Sequence, residues 1–227
     1  RKLQPSGDKN RITQFLRSEN DAVFASAAGL AGRWKLESAR GGLEEAFRKA
    51  PQELPRAQAA MDGLIAMGGA KTASLFDNLA RSETSPFLLR SLAVVGRTRM
   101  NPTAGAKLAL PVLQSAPEGK DPHGIFDAFL SNKQGPGALA AELKESSLPR
   151  KIALIGVQKA SSSASRPEGL VAAIQKSADL KPMKMALSDE EMESMMSQVA
   201  TDGDPHKGES IYRRATLQCL VCHAIGG

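Results

Sequence analysis

The sequence predicts an all-α protein, on the evidence of its composition and of a helical pattern that recurs in pairs. Of its 227 residues, 41% are hydrophobic and 24% are charged, which is ordinary for a globular chain, but only 4% are aromatic. A β-sandwich needs β-branched and aromatic strands, whereas abundant Ala, Leu, Gly and Ser suit closely packed helices. We therefore expect helices throughout.

The clearest helix pair lies between residues 57 and 79. Gly68-Gly69 divides it, and Leu75, Phe76 and Leu79 mark its second, antiparallel helix. The first helix carries apolar side chains at the i, i+3, i+4, i+7, i+8 spacing of an amphipathic helix. These side chains are Ala57, Ala60, Met61, Leu64 and Ile65. The pattern predicts two helices that meet at the glycines.

The same pair recurs along residues 20–180. Three further copies are divided by breaks at Asn101-Pro102, Gln134–Gly137 and Ser161–Ser165, and a less regular copy runs from Val23 to Phe47. Proline-bearing linkers separate the copies, at a period of about 25 to 37 residues. This layout is typical of an α-solenoid and resembles about five degenerate HEAT repeats. A compact irregular helical bundle is the alternative, and we favour the solenoid because the pairs are consecutive and their loops short.

Two segments flank the predicted repeats. Residues 1–19 are polar and rich in turn-forming residues, which indicates a linker or the end of a preceding domain. Residues 181–202 form a connecting acidic, methionine-rich segment, in which Ser188 and Glu191 make a capping box that predicts a helix from Asp189 to about Ala200. Met192, Met195 and Met196 share one face of this helix, and we expect them to pack against the neighbouring domains.

A CxxCH motif lies four residues before the end of the sequence, at Cys219-Leu220-Val221-Cys222-His223. In an exported protein, CxxCH spacing is typical of c-type haem attachment. The two thiols can each form a thioether to one vinyl group of haem, while His223 offers an imidazole nitrogen to the iron. The motif therefore makes Cys219, Cys222 and His223 the predicted cofactor-binding residues, with His223 as the metal ligand.

Other chemistries of this motif fit less well. A redox dithiol of the thioredoxin type needs a preceding strand, and none is recognisable. A zinc site needs four ligands, and His206, Cys219, Cys222 and His223 are the local candidates, two of them adjacent in the chain. A methionine of the acidic helix as a ligand to haem iron or metal, and His206 as a distal haem ligand, are further alternatives that we favour less.

The residues before the motif extend the resemblance. Asp204-Pro205 indicates a helix N-cap followed by proline in the first turn, and Gly208 and Tyr212 have Gly-x-x-x-aromatic spacing. Residues 203–227 thus resemble the start of a class I cytochrome c domain. The resemblance implies a close helix crossing at Gly208 and an aromatic ring beside the haem at Tyr212. Cytochrome c domains of this class take their second axial ligand and their closing helix from well downstream of CxxCH. We therefore expect this chain to be a fragment cut inside the domain.

Charge is distributed unevenly along the chain. The net charge of the chain is +6. From Leu187 onward the sequence has three basic and seven acidic residues, so this C-terminal part carries −4 and residues 1–186 carry +10. A basic body can meet nucleic acid, an anionic surface or an acidic protein, although scattered solvated lysines and arginines explain it best. Scarce aromatic residues argue against nucleic acid, and we expect no membrane span because no apolar run is long enough.

Taken together, helical repeats followed by a CxxCH domain are similar to the large multidomain haem-binding proteins of the planctomycete and verrucomicrobial type. The resemblance implies covalent haem c, electron transfer with a redox partner or a dehydrogenase-like domain, and a periplasmic or otherwise extracytoplasmic location, with an export signal upstream. No catalytic set is recognisable, and lone His123 is expected to be solvated. The alternative function is a HEAT-like scaffold without haem that binds a protein on its concave face.

Overall fold

The computed structural model describes residues 7–117, 121–122, 124–181 and 187–214. All the regular elements in these ranges are α-helices or 3-10 helices, and no strand occurs among them. This confirms the all-α prediction. The chain divides into two compact units, Arg1–Lys181 and Pro182–Gly227. The α-helices are α1 (Asp21–Arg33), α2 (Arg40–Arg48), α3 (Leu54–Met67), α4 (Gly69–Arg81), α5 (Phe87–Met100), α6 (Pro102–Gln114), α7 (Ile125–Leu130), α8 (Gly135–Leu143), α9 (Arg150–Ser162), α10 (Glu168–Ser177), α11 (Asp189–Asp202) and α12 (Pro205–Tyr212).

The predicted helix pairs are confirmed in position. Gly68, with a φ of +67°, lies between α3 and α4 in a conformation that glycine adopts without strain. Asn101 caps α6 by accepting a hydrogen bond from the Ala104 amide at 3.0 Å. One break is shorter than predicted, because α8 already begins at Gly135. Pro136 lies in its first turn, where a missing amide hydrogen costs nothing.

The segment before α1, predicted as a linker or the end of a preceding domain, contains a helix that contacts α1 and α2. Residues Lys9–Arg17 form a 3-10 helix, which Asp8 caps by accepting a hydrogen bond from the Asn10 amide at 3.0 Å. This helix contacts α1 and α2, and Leu16 packs against their buried core. Partial burial of Leu16 holds this polar segment against the first unit. A search for 3.6-residue periodicity does not detect it, because a 3-10 helix has three residues per turn.

Contacts between helices follow the order of the chain. The first helices of successive pairs contact one another, α1 with α3, α3 with α5, α5 with α7, and α7 with α9. Second helices do the same from α4 onward, α4 with α6, α6 with α8, and α8 with α10. A continuous cluster of buried apolar residues runs from Phe24 to Ile174. Each pair therefore buries its apolar face on its neighbours.

Close backbone approach sets how two of these pairs fit. A Cβ atom at Gly63 of α3 would lie 2.7 Å from the carbonyl oxygen of Ala28 in α1. A Cβ atom at Gly96 of α5 would lie 2.8 Å from the ring of Phe76 in α4. That ring is itself fixed by an edge-on contact with Phe47 of α2, with 5.4 Å between ring centroids. Both glycines are therefore required by packing.

Ion pairs also join helices of successive pairs. In each, the carboxylate belongs to the earlier helix and the cation to the later one. The pairs are Asp21 (α1) with Arg56 (α3) at 3.2 Å, Asp62 (α3) with Arg99 (α5), Asp77 (α4) with Arg97 (α5) at 2.9 Å, and Asp127 (α7) with Lys159 (α9) at 2.9 Å. The two more exposed pairs, Asp62 with Arg99 and Asp127 with Lys159, contribute little stability individually.

The second unit contains α11 and α12 in its described part. The predicted capping box of α11 is confirmed: the Glu191 amide donates to Ser188 Oγ at 3.3 Å, and the Ser188 amide donates to Glu191 Oε2 at 3.0 Å. No residue of either helix is buried. Across the described ranges, no helix is both long and apolar enough to cross a bilayer.

Candidate functional site

The helix that leads toward the CxxCH motif has the predicted start. Asp204 caps α12 by accepting a hydrogen bond from the Lys207 amide at 3.0 Å, and Pro205 is its first residue. Tyr212 is its last residue and is half-buried. The predicted haem-binding residues Cys219, Cys222 and His223 lie outside the described residues, so their prediction stays untested.

Gly208 and Tyr212 lie on the same side of α12, since residues four apart are neighbours on a helix surface. A Cβ atom at Gly208 would have no described heavy atom within 4 Å. The helix crossing that the resemblance implies at Gly208 therefore has no partner among residues 187–214. His206 lies in the first turn and is exposed, as expected of a solvated histidine.

The methionines predicted to share a face of α11 do so. Met192 is 47% exposed, Met195 50% and Met196 66%. Nothing in residues 187–214 covers them, so the packing expected for them is not provided by the described part of their own unit. Within the described ranges, no group of three His, Cys, Asp or Glu side chains could hold a metal ion. His123, the lone histidine of the first unit, lies outside them.

A cleft of about 1080 Å³ opens in the first unit, between the N-terminal 3-10 helix, α1, α2 and the start of α3. The guanidinium of Arg56 lies 4.3 Å from the ring centroid of buried Phe24, in a cation–π contact. The same guanidinium donates to the Ser18 carbonyl at 2.9 Å and to Asp21 at 3.2 Å. Sequence reasoning missed this cleft because one wall belongs to residues 1–19, which were predicted as a linker or the end of a preceding domain and not as part of this fold.

The cleft carries only one more carboxylate than cation. Its walls include three cations and four carboxylates, namely Arg17, Lys49, Arg56, Glu19, Asp21, Glu45 and Glu53. Lys49 is paired with Glu45 at 3.0 Å, and Arg56 approaches Glu53 at 3.4 Å in addition to Asp21. Because five of these seven charges pair with one another, the cleft lacks the one-sided electrostatic character that selects a charged ligand.

A polar cluster around Arg40 links α2 to α4. Arg40 donates to both carboxylate oxygens of Glu37 at 2.9 Å each, and to Thr72 Oγ1 at 3.0 Å. Thr72 in turn donates to the Gly68 carbonyl at 2.9 Å. The bond from Arg40 lowers the pKa of the Glu37 carboxyl from 4.5 to about 2, and the same bond raises the pKa of Arg40. The cluster is fully satisfied, which indicates a structural role.

We expect Arg40→Gln to return the pKa of Glu37 toward 4.5, the value for a carboxyl without this partner. Because the folded-state pKa is depressed, the ion pair contributes its stability above about pH 4.5 and loses it as the pH falls through about 2. NMR titration of the Glu37 side-chain carboxyl carbon measures this. Arg48→Gln, on the exposed side of α2, should leave the midpoint unchanged, and a wild-type midpoint near 4.5 would contradict the pairing.

Comparison with known proteins finds no relative: no protein-family model, no curated protein and no solved structure matches this chain. Function must therefore be argued from the chemistry of its residues. Two features of the chain bear on its function: the CxxCH motif that follows α12 in the sequence, and the row of helix pairs in the first unit.

Proposed function

We propose that residues 203–227 begin a class I cytochrome c-like domain that holds haem c through Cys219, Cys222 and His223, and that the chain serves electron transfer. The observation that carries this proposal is the CxxCH pentapeptide after a capped helix. Two thiols within one turn and an adjacent imidazole are the donor set that covalent haem attachment uses. The donor set therefore fits the cofactor that the resemblance implies.

Three features of α12 support the proposal. The Asp204 cap and Pro205 determine where the helix starts. Gly208 leaves an open surface on α12 that a crossing helix could fill. Tyr212 ends the helix on the same side, seven residues before Cys219, where its ring could shield one edge of a haem from water. Bound haem supplies one-electron transfer at a potential that its axial ligands and burial adjust.

We further propose that residues 20–180 form a HEAT-like α-solenoid that acts as the scaffold of a larger extracytoplasmic, dehydrogenase-like protein. The ordered contacts between successive helix pairs support this, since a solenoid repeat packs only on its neighbours. The repeated direction of the Asp-to-Arg or Asp-to-Lys ion pairs supports it as well. The same observations favour the second candidate function, a protein-binding scaffold that holds no haem.

An absorption spectrum separates the two functions. We expect the protein, produced with its natural flanking sequence in an exporting host that attaches c-type haem, to show a Soret band and sharp α and β bands after dithionite reduction. Haem should stay with the polypeptide on a denaturing gel in the wild type. It should be lost in the variant that carries both Cys219→Ala and Cys222→Ala, because no thioether can form.

The two histidines of the region provide matched controls. His223→Ala should change the Soret band, since the proposal makes His223 the proximal ligand. His206→Ala should leave the spectrum unchanged, because His206 is exposed in the first turn of α12. A wild-type chain without haem in such a host would contradict the cytochrome proposal and leave the scaffold as the function to pursue.

A further inference from the structure

One face of α11 exposes an apolar stripe. Its members recur at the i, i+3, i+4 and i+7 spacing that places side chains in a row along a helix. They are Met192, Met195, Met196 and Val199, and the last two are 66% and 65% exposed. Four large apolar side chains so close together on one helix face are more than the scattered exposure that any protein surface shows. We call this row the methionine stripe.

Carboxylates border the methionine stripe on both sides. At about 100° per residue, Asp189 and Glu193 lie along one edge of the stripe and Asp202 lies along the other. All three side chains are exposed. No Lys or Arg occurs anywhere in α11 (Asp189–Asp202), so the helix carries no cation of its own to neutralise these carboxylates. The face is therefore apolar along its centre and negative at its edges.

We propose that the methionine stripe is a docking site for a basic amphipathic helix of a partner protein. Methionine has a flexible, polarizable side chain that adapts to different apolar surfaces, as interaction sites require. A helix that lays apolar residues on the stripe can direct Lys and Arg to the carboxylates at both edges. This goes beyond haem binding, because it depends on α11 alone.

Charge argues against a second copy of the chain and against a membrane as occupants of such a face. A second copy of α11 would bring the same carboxylates against each other, and like charges in contact are costly. A membrane with anionic lipids attracts cations and would repel Asp189 and Glu193. A basic partner helix is the occupant that satisfies both the apolar centre and the negative edges.

A designed peptide tests the proposal on the full chain. The probe is a fluorescein-labelled 18-residue helix with leucines along one face and lysines elsewhere, and its binding is followed by fluorescence anisotropy. We expect the double variant Met196→Gln and Val199→Gln to bind it at least about tenfold more weakly than wild type. The double variant Ser194→Gln and Ser197→Gln, on the opposite face of α11, should bind as wild type does, and glutamine keeps the helix in both.

Two further measurements identify the occupant. Reversing the charge of one edge with Asp189→Lys and Glu193→Lys should weaken binding and reduce its dependence on NaCl between about 0.05 and 0.5 M. A peptide with glutamates in place of the lysines should not bind. Equal affinity of the stripe variant and the wild type would overturn the proposal. So would a dimer in sedimentation that Met196→Gln and Val199→Gln dissociates, since the occupant would then be a second copy.

Discussion

Phe76→Ala is expected to lower the free energy of unfolding of the first unit by about 3–5 kcal/mol. The Phe76 side chain is fully buried, its ring makes an edge-on contact with the ring of Phe47, and its ring carbons lie against Gly96. Truncation removes the transfer free energy of the ring and leaves a cavity between α2, α4 and α5, which rigid backbones cannot fill. Guanidinium unfolding, followed by circular dichroism at 222 nm, measures the loss.

Phe15→Ala is the matched control for this experiment. Phe15 belongs to the N-terminal 3-10 helix and is 44% exposed. The same chemical change there should cost less than about 1 kcal/mol, because little apolar surface is removed from the core. If Phe76→Ala costs no more than Phe15→Ala, the edge-on contact with Phe47 and the burial described above are contradicted.

Gly63→Ala is expected to destabilise the first unit by about 1–3 kcal/mol, although alanine is the better helix former. The added methyl group would lie 2.7 Å from the Ala28 carbonyl oxygen. That oxygen belongs to the backbone of α1, so the clash is relieved only if the two helices move apart. The separation would loosen every contact along the α1–α3 interface. The midpoint of denaturant unfolding should fall accordingly.

Gly29→Ala provides a control with the opposite sign. Gly29 is also a glycine in the interior of a helix of this interface, but a Cβ atom there meets no heavy atom within 4 Å. Alanine should therefore stabilise α1 by about 0.5–1 kcal/mol, through its helix propensity and the lower entropy of the unfolded chain. If both variants are stabilised, the close crossing at Gly63 is contradicted.

The helices and their breaks could be predicted because their signals are local. Periodic apolar residues identified the pairs, and the caps at Ser188 and Asp204 are each specified by residues within three positions. Features that join distant parts of the chain had no such signal. The hydrogen bond between Arg40 and Thr72 joins residues 32 positions apart. The residues around Gly63 in the sequence do not predict its close contact with the Ala28 carbonyl oxygen.

The candidate site shows the same division. Covalent haem attachment needs two thiols and an imidazole at a fixed short spacing. A CxxCH motif can therefore be recognised, and haem binding predicted, from the sequence alone. The methionine stripe was predicted as one face of a helix, and α11 confirms that face. A sequence pattern does not say which other part of the chain, or which partner, lies against it. The cleft beside Arg56 depends on how a 3-10 helix folds back on α1 and α2, which no periodicity encodes.

The uniform direction of the ion pairs has a consequence for assembly during folding. The carboxylate lies on the earlier helix and the cation on the later one, as in Asp21 with Arg56 and Asp62 with Arg99. If a helix turned its other side toward the preceding one, like charges would face each other, which is unfavourable. All four of these ion pairs have the same polarity, however, so the charges distinguish the two faces of a helix pair without distinguishing one helix pair from another. We expect order along the row to depend on shape, as in the close backbone approach at Gly63 and the contact of the Phe76 ring with Gly96, which a differently shaped neighbour would not reproduce.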